Sequence, residues 1–139
     1  MTCITKEEFQ DRLCRLCLKS GSVGLPRRLR DQHILMKSIT LLFEPDRSYS
    51  GSEVRSIIRF WLADIAVRIQ TDHAALRRAL VDHGYLTRNP AGSTYAQGRP
   101  AGKEICFDPA VDSLDVLATV SGAAAEIERK KRDHRPQLP

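Results

Sequence analysis

The sequence lacks the features that mark secreted and membrane-spanning proteins. Its N-terminus, MTCITKEEF, has neither the basic start nor the apolar run of a secretory signal. No unbroken apolar stretch reaches the length of about 20 residues that a membrane-spanning helix needs, and no internal repeat or long low-complexity segment is visible. We therefore expect a soluble, cytoplasmic protein that has no membrane partner.

Motifs of the common enzyme classes are also missing. The chain contains no glycine-rich phosphate loop, no nucleophile elbow and no metalloprotease motif. Single acidic residues on helices do not establish the pair of groups that acid–base catalysis requires. The sequence therefore predicts neither enzymatic activity nor a cofactor.

Cysteine occurs four times, at Cys3, Cys14, Cys17 and Cys106. In a chain without an export signal, we expect reduced thiols rather than a disulfide framework. Cys14 and Cys17 have the CxxC spacing, and another cysteine or a histidine could complete a tetrahedral zinc site. A structural zinc site generally shows two paired ligand clusters, whereas here the apolar face of a helix already explains Cys17. We expect no metal site, and a thiol or zinc sensor is kept as a minor alternative.

Length and composition indicate one compact domain. The chain has 139 residues, of which 42% are hydrophobic, and this is enough for a modest core. Lys and Arg number 22 against 17 Asp and Glu, which gives a formal net charge of +5. This excess favours contact with phosphates but is smaller than in strongly basic nucleic-acid coats, so charge alone does not identify a partner.

The first half of the chain predicts three helices. Thr5 and Glu8 form a T-x-x-E capping box before an apolar periodic segment that stops at residues 20–22. Pro26 opens the second helix, which continues through the apolar run 34–43 and ends at Glu44-Pro45. The first turn of this second helix contains three cations, which oppose the helix dipole and are either solvated or matched by an anion. These are Arg27, Arg28 and Arg30.

A second capping box begins the helix with the clearest pattern. Ser50 and Glu53 make the box, and apolar residues keep the helical period from Val54 to Ile65 without a miss. Trp61, the only tryptophan, lies in this apolar stripe. We therefore interpret Trp61 as a core residue rather than a platform for a ligand.

Residues 72–83 have the pattern of a helix that enters the major groove of DNA. Thr71 or Asp72 can cap this helix, and Gly84 follows it where a helix C-cap prefers glycine. Its apolar side, Leu76, Ala79, Leu80 and His83, would pack on the preceding helix. The other side carries Ala74, Arg77 and Arg78, a small residue beside two arginines, as close approach to DNA requires. Arginine can bind guanine O6 and N7 or clamp a phosphate, and the sequence leaves both uses open.

The segment 85–96 predicts a β-hairpin, the wing of a winged helix. A turn signal at 89–92 separates two strand-like tetrads. Arg88, near the tip, could reach the DNA backbone or the minor groove, and polar residues of the turn could donate to phosphates. The predicted DNA-binding residues are His73, Ala74, Arg77, Arg78, Arg88, Asn89, Ser93 and Thr94.

The C-terminal part, residues 98–139, predicts a connector, a short strand and a helix. The connector is 98–102, the strand spans Lys103–Phe107, and the helix starts at Ser113 and leads into a basic tail that contains residues 129–132. Apolar residues of this helix are spaced like the seam of a two-helix contact, namely Leu117, Val120, Ala124 and Ile127. A homodimer through this helix and packing on its own domain are both consistent with the pattern.

Short motifs between residues 24 and 95 carry a family resemblance. They are Gly24-Leu25-Pro26-Arg27 with Asp31, Phe43-Glu44-Pro45, Tyr49-Ser50, Glu53-Val54, Asp72-His73, Leu76-Arg77-Arg78, Leu80-Val81-Asp82, Gly84, Leu86, Arg88 and Tyr95. This set resembles a bacterial domain family of unknown function, found alone or appended to small helix-turn-helix regulators of the ArsR type. The resemblance implies a winged-helix-like domain of transcription regulators and brings no established site or ligand. Two departures are Ala79, where an acidic residue is expected, and the extension beyond the hairpin.

Together these observations predict a mainly α (α+β) fold. It is a winged helix-turn-helix domain over residues 1–97, with an extra N-terminal helix, followed by the C-terminal helix. The predicted function is a transcription regulator that binds double-stranded DNA. The first alternative is a protein–protein adaptor on the same scaffold. A further alternative is an ordinary amphipathic helix whose arginines are solvated or paired with Asp72 and Asp82.

Overall fold

The computed structural model describes residues 3–19, 24–98 and 105–133. In these ranges the fold is mainly helical with a small antiparallel sheet. The helices are α1 (Lys6–Lys19), α2 (Leu29–Thr40), α3 (Gly51–Phe60), α4 (His73–Asp82) and α5 (Val116–Asp133). The strands are β1 (Ser48–Ser50), β2 (Leu86–Arg88) and β3 (Thr94–Gln97). A π-helical turn, Trp61–Ile65, continues α3, and a 3-10 helix, Pro109–Ser113, precedes α5. No helix in these ranges has the length and apolar character needed to cross a membrane.

The sheet has the strand order β1-β3-β2. β2 and β3 form the hairpin that the sequence predicts, with Arg88 opposite Tyr95. On the other side of β3, Tyr49 of β1 pairs with the same Tyr95. The sequence does not predict β1, because three residues are too few for an alternating pattern to be recognised. The sheet thus joins the hairpin to the segment that enters α3.

The core lies between the helices and the inner face of the sheet. Trp61 is fully buried, and its indole Nε1 donates a hydrogen bond of 2.9 Å to Ser38 Oγ on α2. Ser38 Oγ in turn donates to the carbonyl oxygen of Leu35 at 2.6 Å. The predicted core role of Trp61 is confirmed, and its one polar atom has a partner, as a buried indole requires.

The two capping boxes are formed to different extents. At α3 both hydrogen bonds are present, from Glu53 N to Ser50 Oγ at 3.1 Å and from Ser50 N to Glu53 Oε1 at 3.0 Å. The backbone bond from Ser50 holds the pKa of the Glu53 carboxyl below its ordinary value. At α1, Thr5 Oγ1 accepts from Glu8 N at 3.1 Å. The Glu8 carboxylate, however, pairs with Arg30 on α2, so this side chain joins two helices.

The second helix is shorter than the sequence predicts. α2 begins at Leu29, with Arg28 in an extended conformation at its N-cap. This start leaves Arg27 and Arg28 outside the helix and places Asp31 in the first turn, which the helix dipole favours. At the other end α2 stops at Thr40, and residues 41–43 continue as a turn. The expectation that Pro26 opens the helix and that the helix runs to Phe43 is therefore wrong.

The N-terminal segment before α1 is joined to the segment that precedes the 3-10 helix and α5. Ile4 N donates to Cys106 O at 2.8 Å, and Asp108 N donates to Ile4 O at 2.9 Å. A disulfide links Cys3 and Cys106, which are 103 positions apart in sequence. The expectation of reduced thiols is wrong for this pair, since sequence spacing could not show that these two segments meet. Phe107 forms an isolated bridge with Ile4 rather than part of a strand.

Helix α5 begins later than predicted and packs on its own domain. Ser113 ends the 3-10 helix, and α5 starts at Val116, where Asp115 Oδ1 accepts from Ala118 N at 3.0 Å. Its buried side contacts α1 and the π-helical turn. Val120, a member of the predicted dimer seam, is 2% exposed, whereas Leu117 is 37% exposed. The intramolecular alternative thus accounts for part of the seam.

Some predicted features lie outside the described residues. These are the stop of the first helix at 20–22, the connector from 99 onward, the start of the strand at Lys103, and the tail beyond 133. Among the cysteines that the structure describes, Cys14 and Cys17 are free. Burial raises the pKa of the Cys17 thiol to about 12, so it is not a thiolate at neutral pH. This argues against Cys17 as a sensor. In the described ranges no three His, Cys, Asp or Glu side chains are placed to hold a metal ion.

Candidate nucleic-acid interface

Both ends of α4 are fixed by local hydrogen bonds. Asp72 supplies the N-cap, since its Oδ1 accepts from Ala75 N at 2.7 Å. At the other end Gly84 has φ +79°, which only glycine adopts without strain. Gly84 N donates to Val81 O at 3.1 Å, and Tyr85 N donates to Leu80 O at 2.8 Å. These two bonds are those of a Schellman motif, which turns the chain directly from α4 into the hairpin.

The two sides of α4 divide largely as the sequence predicts. Leu76 and Leu80 are fully buried, and α4 packs on α3. Ala74 and Arg78 are exposed, and Arg77 is half-buried. His83, which the sequence placed on the apolar side, is exposed. His83 is the C-cap, with φ of −95°, so it lies past the last helical residue of α4 and not on the buried side of the helix.

Arg77 and Arg78 are not engaged by carboxylates. Among the described residues, the ion pairs involve other arginines and lysines. Asp72, one of the two suggested partners, caps the helix instead. The alternative in which the two arginines pair with Asp72 and Asp82 is therefore not what the structure has. Their donors remain available to a ligand.

A groove between α4 and the hairpin gathers the predicted arginines. Its volume is about 210 Å³. It is lined by Ala74, Arg77, Arg78, Val81, Asp82, Arg88 and Tyr95. Arg77 and Arg78 come from the helix and Arg88 comes from β2, so residues that are ten or more positions apart meet at one surface. Three guanidinium groups and one carboxylate give this lining an excess of positive charge.

Arg88 bends back over the hairpin rather than extending from its tip. Its guanidinium carbon lies 5.6 Å from the centre of the Tyr95 ring, within cation–π range. Its Nη2 donates to Gly92 O at 3.4 Å. Gly92 has φ +72°, and a Cβ atom at this position would lie 2.6 Å from Arg88 Nη2. Glycine is thus needed here both for the turn and for the position of Arg88.

The polar residues of the turn differ in their availability. Asn89 Oδ1 accepts from Ser93 N at 2.8 Å and from Thr94 N at 3.0 Å, and Asn89 Nδ2 donates to Ser93 Oγ at 3.1 Å. The side chain of Asn89 therefore holds the turn together, a role that the sequence analysis did not assign to it. The side chains of Ser93 and Thr94 are exposed. Within the described residues the Thr94 hydroxyl forms no hydrogen bond, so it is available to a ligand.

One further arginine, Arg59 on α3, lies next to the start of α4. Arg59 Nη2 is 3.5 Å from His73 Nε2, which brings α3 and the first turn of α4 together. Arg55 lies one helical turn before Arg59, and both side chains are exposed. Arg55 and Arg59 were not among the predicted residues, although their four-residue spacing, on the side of α3 next to the buried Val54 and Ile58, was a signal that could have found them.

The C-terminal end of α4 is tied to α2 by a ring cluster. His33 Nδ1 lies 2.6 Å from the Tyr85 hydroxyl, and the rings of His33 and His83 are 5.4 Å apart. Burial raises the pKa of Tyr85 well above its ordinary value. Tyr85 is therefore neutral and able to form a hydrogen bond throughout the physiological range. The cluster holds the end of α4 in place without using the arginine side.

Comparison with known proteins identifies the family of the chain. A family model described as an uncharacterized protein conserved in bacteria (DUF2087) matches residues 23–97. The match covers more than half of the chain and contains α2, α3, α4 and the whole sheet, whereas α1 and α5 lie outside it. No curated protein and no solved structure matches the chain. The chain therefore belongs to this uncharacterized family of bacterial proteins, as the motifs between residues 24 and 95 predict.

Proposed function

We propose that this protein is a transcription regulator that binds double-stranded DNA through a winged helix-turn-helix. In this proposal α3 and α4 are the helix-turn-helix pair, α4 enters the major groove, and the β2–β3 hairpin is the wing. The element order supports it, since the hairpin follows α4 directly and β1, placed before α3, completes the sheet.

The observation that carries the proposal is the set of arginines at the groove. Arg77, Arg78 and Arg88 line one surface, and no described carboxylate forms an ion pair with any of them. Unpaired guanidinium groups on one exposed face favour a polyanion, because they bind phosphates and guanine edges by paired hydrogen bonds. Arg59, which is exposed on α3 and lies 3.5 Å from His73, adds a further positive charge beside the start of α4.

The dimensions of α4 are compatible with the major groove. The helix has ten residues and is therefore about 15 Å long. Ala74, exposed in its first turn, leaves room for the backbone to approach the bases closely. The N-terminal residues of such a helix are the ones that reach base edges, and this places Ala74 and His73 nearest to the DNA.

The adaptor hypothesis requires an uncharged apolar patch at the same surface. The large hydrophobic side chains that are exposed in the described ranges are Leu29, Phe60, Val67 and Leu117. None of them lines the groove. The groove therefore favours an anionic partner, and a homodimer through α5 stays a prediction that rests on Leu117 and the neighbouring seam.

A binding experiment with a matched control tests the proposal. The protein is used to select duplexes from a random DNA pool, and affinity for the selected duplex is then measured by fluorescence anisotropy at several salt concentrations. Arg77→Ala/Arg78→Ala should lower affinity by at least about tenfold, since a good bidentate contact contributes about 1–3 kcal/mol. If the two arginines bind separate phosphates, the slope of log affinity against log salt concentration should also fall by about two, and by about one if they share a phosphate.

The control is Arg15→Ala/Arg129→Ala, which removes the same charge from α1 and α5. Each of these arginines is exposed and already paired, Arg15 with Asp11 and Arg129 with Glu126. This variant should bind the selected duplex nearly as wild type does, and both variants should keep the wild-type melting temperature. Selection that enriches no sequence, or equal loss of affinity in the two variants, contradicts the proposal. Enrichment of an inverted repeat would in addition indicate a two-fold dimer.

A further inference from the structure

The groove brings together three guanidinium groups from two different elements. Arg77 and Arg78 lie on consecutive positions of α4, and Arg88 reaches the same groove from β2. The volume of about 210 Å³ is below the range of about 300–1,000 Å³ that is usual for organic ligands. The groove therefore suits a small charged group rather than a whole nucleotide or a drug-sized molecule.

The charge of the lining also has a definite sign. Three arginines are opposed by one acidic side chain, Asp82, and Asp82 is itself exposed. Cations that share a small volume repel one another, and more strongly near a protein surface than in bulk water. A bound anion would relieve this repulsion, and an anion with several acceptor oxygens could accept hydrogen bonds from all three guanidinium groups.

Arg88 is already held in position for such a ligand. The Tyr95 ring and the carbonyl oxygen of Gly92 keep its guanidinium beside the groove. A free arginine side chain loses rotamer entropy when it is fixed, and prior positioning lowers that cost at the moment of binding. The bent conformation thus favours a shared site with α4 over the separate contact at the hairpin tip that the sequence suggested.

We propose that Arg77, Arg78 and Arg88 bind one phosphate group together in this groove, with Gly92 positioning Arg88. The inference rests on the proposed function in taking the phosphate to be one of the DNA backbone. A free phosphate or a phosphorylated small molecule would present the same chemistry, and the experiment separates these sources.

The first arm of the test is a double-mutant cycle with the selected duplex. Arg78→Ala and Arg88→Ala should each lower affinity by about tenfold, and the double variant by clearly less than the product of the two losses. The reason is that the second arginine loses its ligand once the first is removed. Losses that multiply fully would mean separate contacts, which overturns the shared site and leaves DNA binding intact.

The role of Gly92 is tested in the same assay. Gly92→Ala should lower affinity in the wild-type background but cause no further loss in the Arg88→Ala background, since its effect passes through Arg88. If the substitution merely breaks the turn, affinity falls in both backgrounds, and the positioning role is wrong. Amide spectra of each variant report whether the hairpin is still formed.

The second arm uses inorganic phosphate alone. NMR signals of the arginine Nε–Hε groups are followed during titration with phosphate and, at matched ionic strength, with chloride. Phosphate should shift Arg77, Arg78 and Arg88 with one shared midpoint and leave Arg15 unchanged. Absence of a saturable shift at these arginines overturns the phosphate site, just as fully multiplicative losses on DNA do. A saturable shift in a protein that binds no duplex keeps the site, assigns it to a free phosphate ligand and rejects the DNA-binding function.

Discussion

At the scale of single residues, the most informative buried charge is Asp31. It is 5% exposed and accepts two hydrogen bonds from Arg12 of α1, from Nε at 3.2 Å and from Nη2 at 2.7 Å. The hydrogen bond that Arg12 donates to Asp31 raises the pKa of Arg12 above its ordinary value. Asp31 belonged to the family motifs, but its partner could not be predicted, because Arg12 lies outside the family match. A fork of this geometry fixes the angle between α1 and α2.

Removal of Arg12 should therefore destabilise the fold. Arg12→Ala leaves the Asp31 carboxylate buried without its partner, and we expect the free energy of unfolding to fall by about 2 kcal/mol, less than for a fully buried pair because Arg12 is 32% exposed. The control is Arg15→Ala, which breaks an exposed pair on the same helix and should cost less than about 0.5 kcal/mol. Urea denaturation of both variants measures the difference. Equal effects would mean that the Arg12–Asp31 pair contributes no more than a surface pair.

At the scale of helices and strands, the sequence predicted the caps and turns that depend on neighbouring residues. The Ser50–Glu53 box, the glycine after α4 and the hairpin turn all depend on residues a few positions apart, and all three are present. The predicted start of a helix was less accurate where the charges of the first turn determine it. At α2 the first helical residue is Leu29, because an earlier start would place more arginines in the first turn. Strand β1 was missed because it exists only through its pairing with β3.

The cap of α4 gives a prediction that separates stability from binding. Asp72→Ala should lower the free energy of unfolding by about 1 kcal/mol, since it removes the acceptor for the Ala75 amide. Asp72→Asn keeps an acceptor and should leave stability nearly unchanged. Because it also removes a negative charge beside the proposed DNA-binding face, Asp72→Asn should bind duplex more tightly at low salt. Weaker binding by the asparagine variant would count against the placement of the α4 N-terminus at DNA.

At the scale of the whole molecule, the segments outside the family match are paired with each other. α1 and α5 pack together. The Ile4–Phe107 bridge and the Cys3–Cys106 disulfide link the segments that precede these two helices. None of this could be predicted from the sequence, since no local pattern links residues 103 positions apart. The candidate site could be predicted more fully, because Arg77 and Arg78 share one helix face. Only the convergence of Arg88 on the same groove needed the tertiary structure.

The disulfide should therefore contribute to stability without taking part in DNA binding. A disulfide that closes a loop of about 100 residues lowers the conformational entropy of the unfolded chain and thereby stabilises a fold by up to about 4.7 kcal/mol. We expect a reductant to lower the free energy of unfolding by about 3–4 kcal/mol. The folded, reduced protein should bind the selected duplex as before, because α4 and the hairpin are held by the core and by β1. Cys3→Ser/Cys106→Ser provides the control, since a reductant should not affect it further. If reduction lowered DNA affinity while the protein stayed folded, the link between the N-terminal segment and the segment before α5 would control the binding face as well as stabilise the fold.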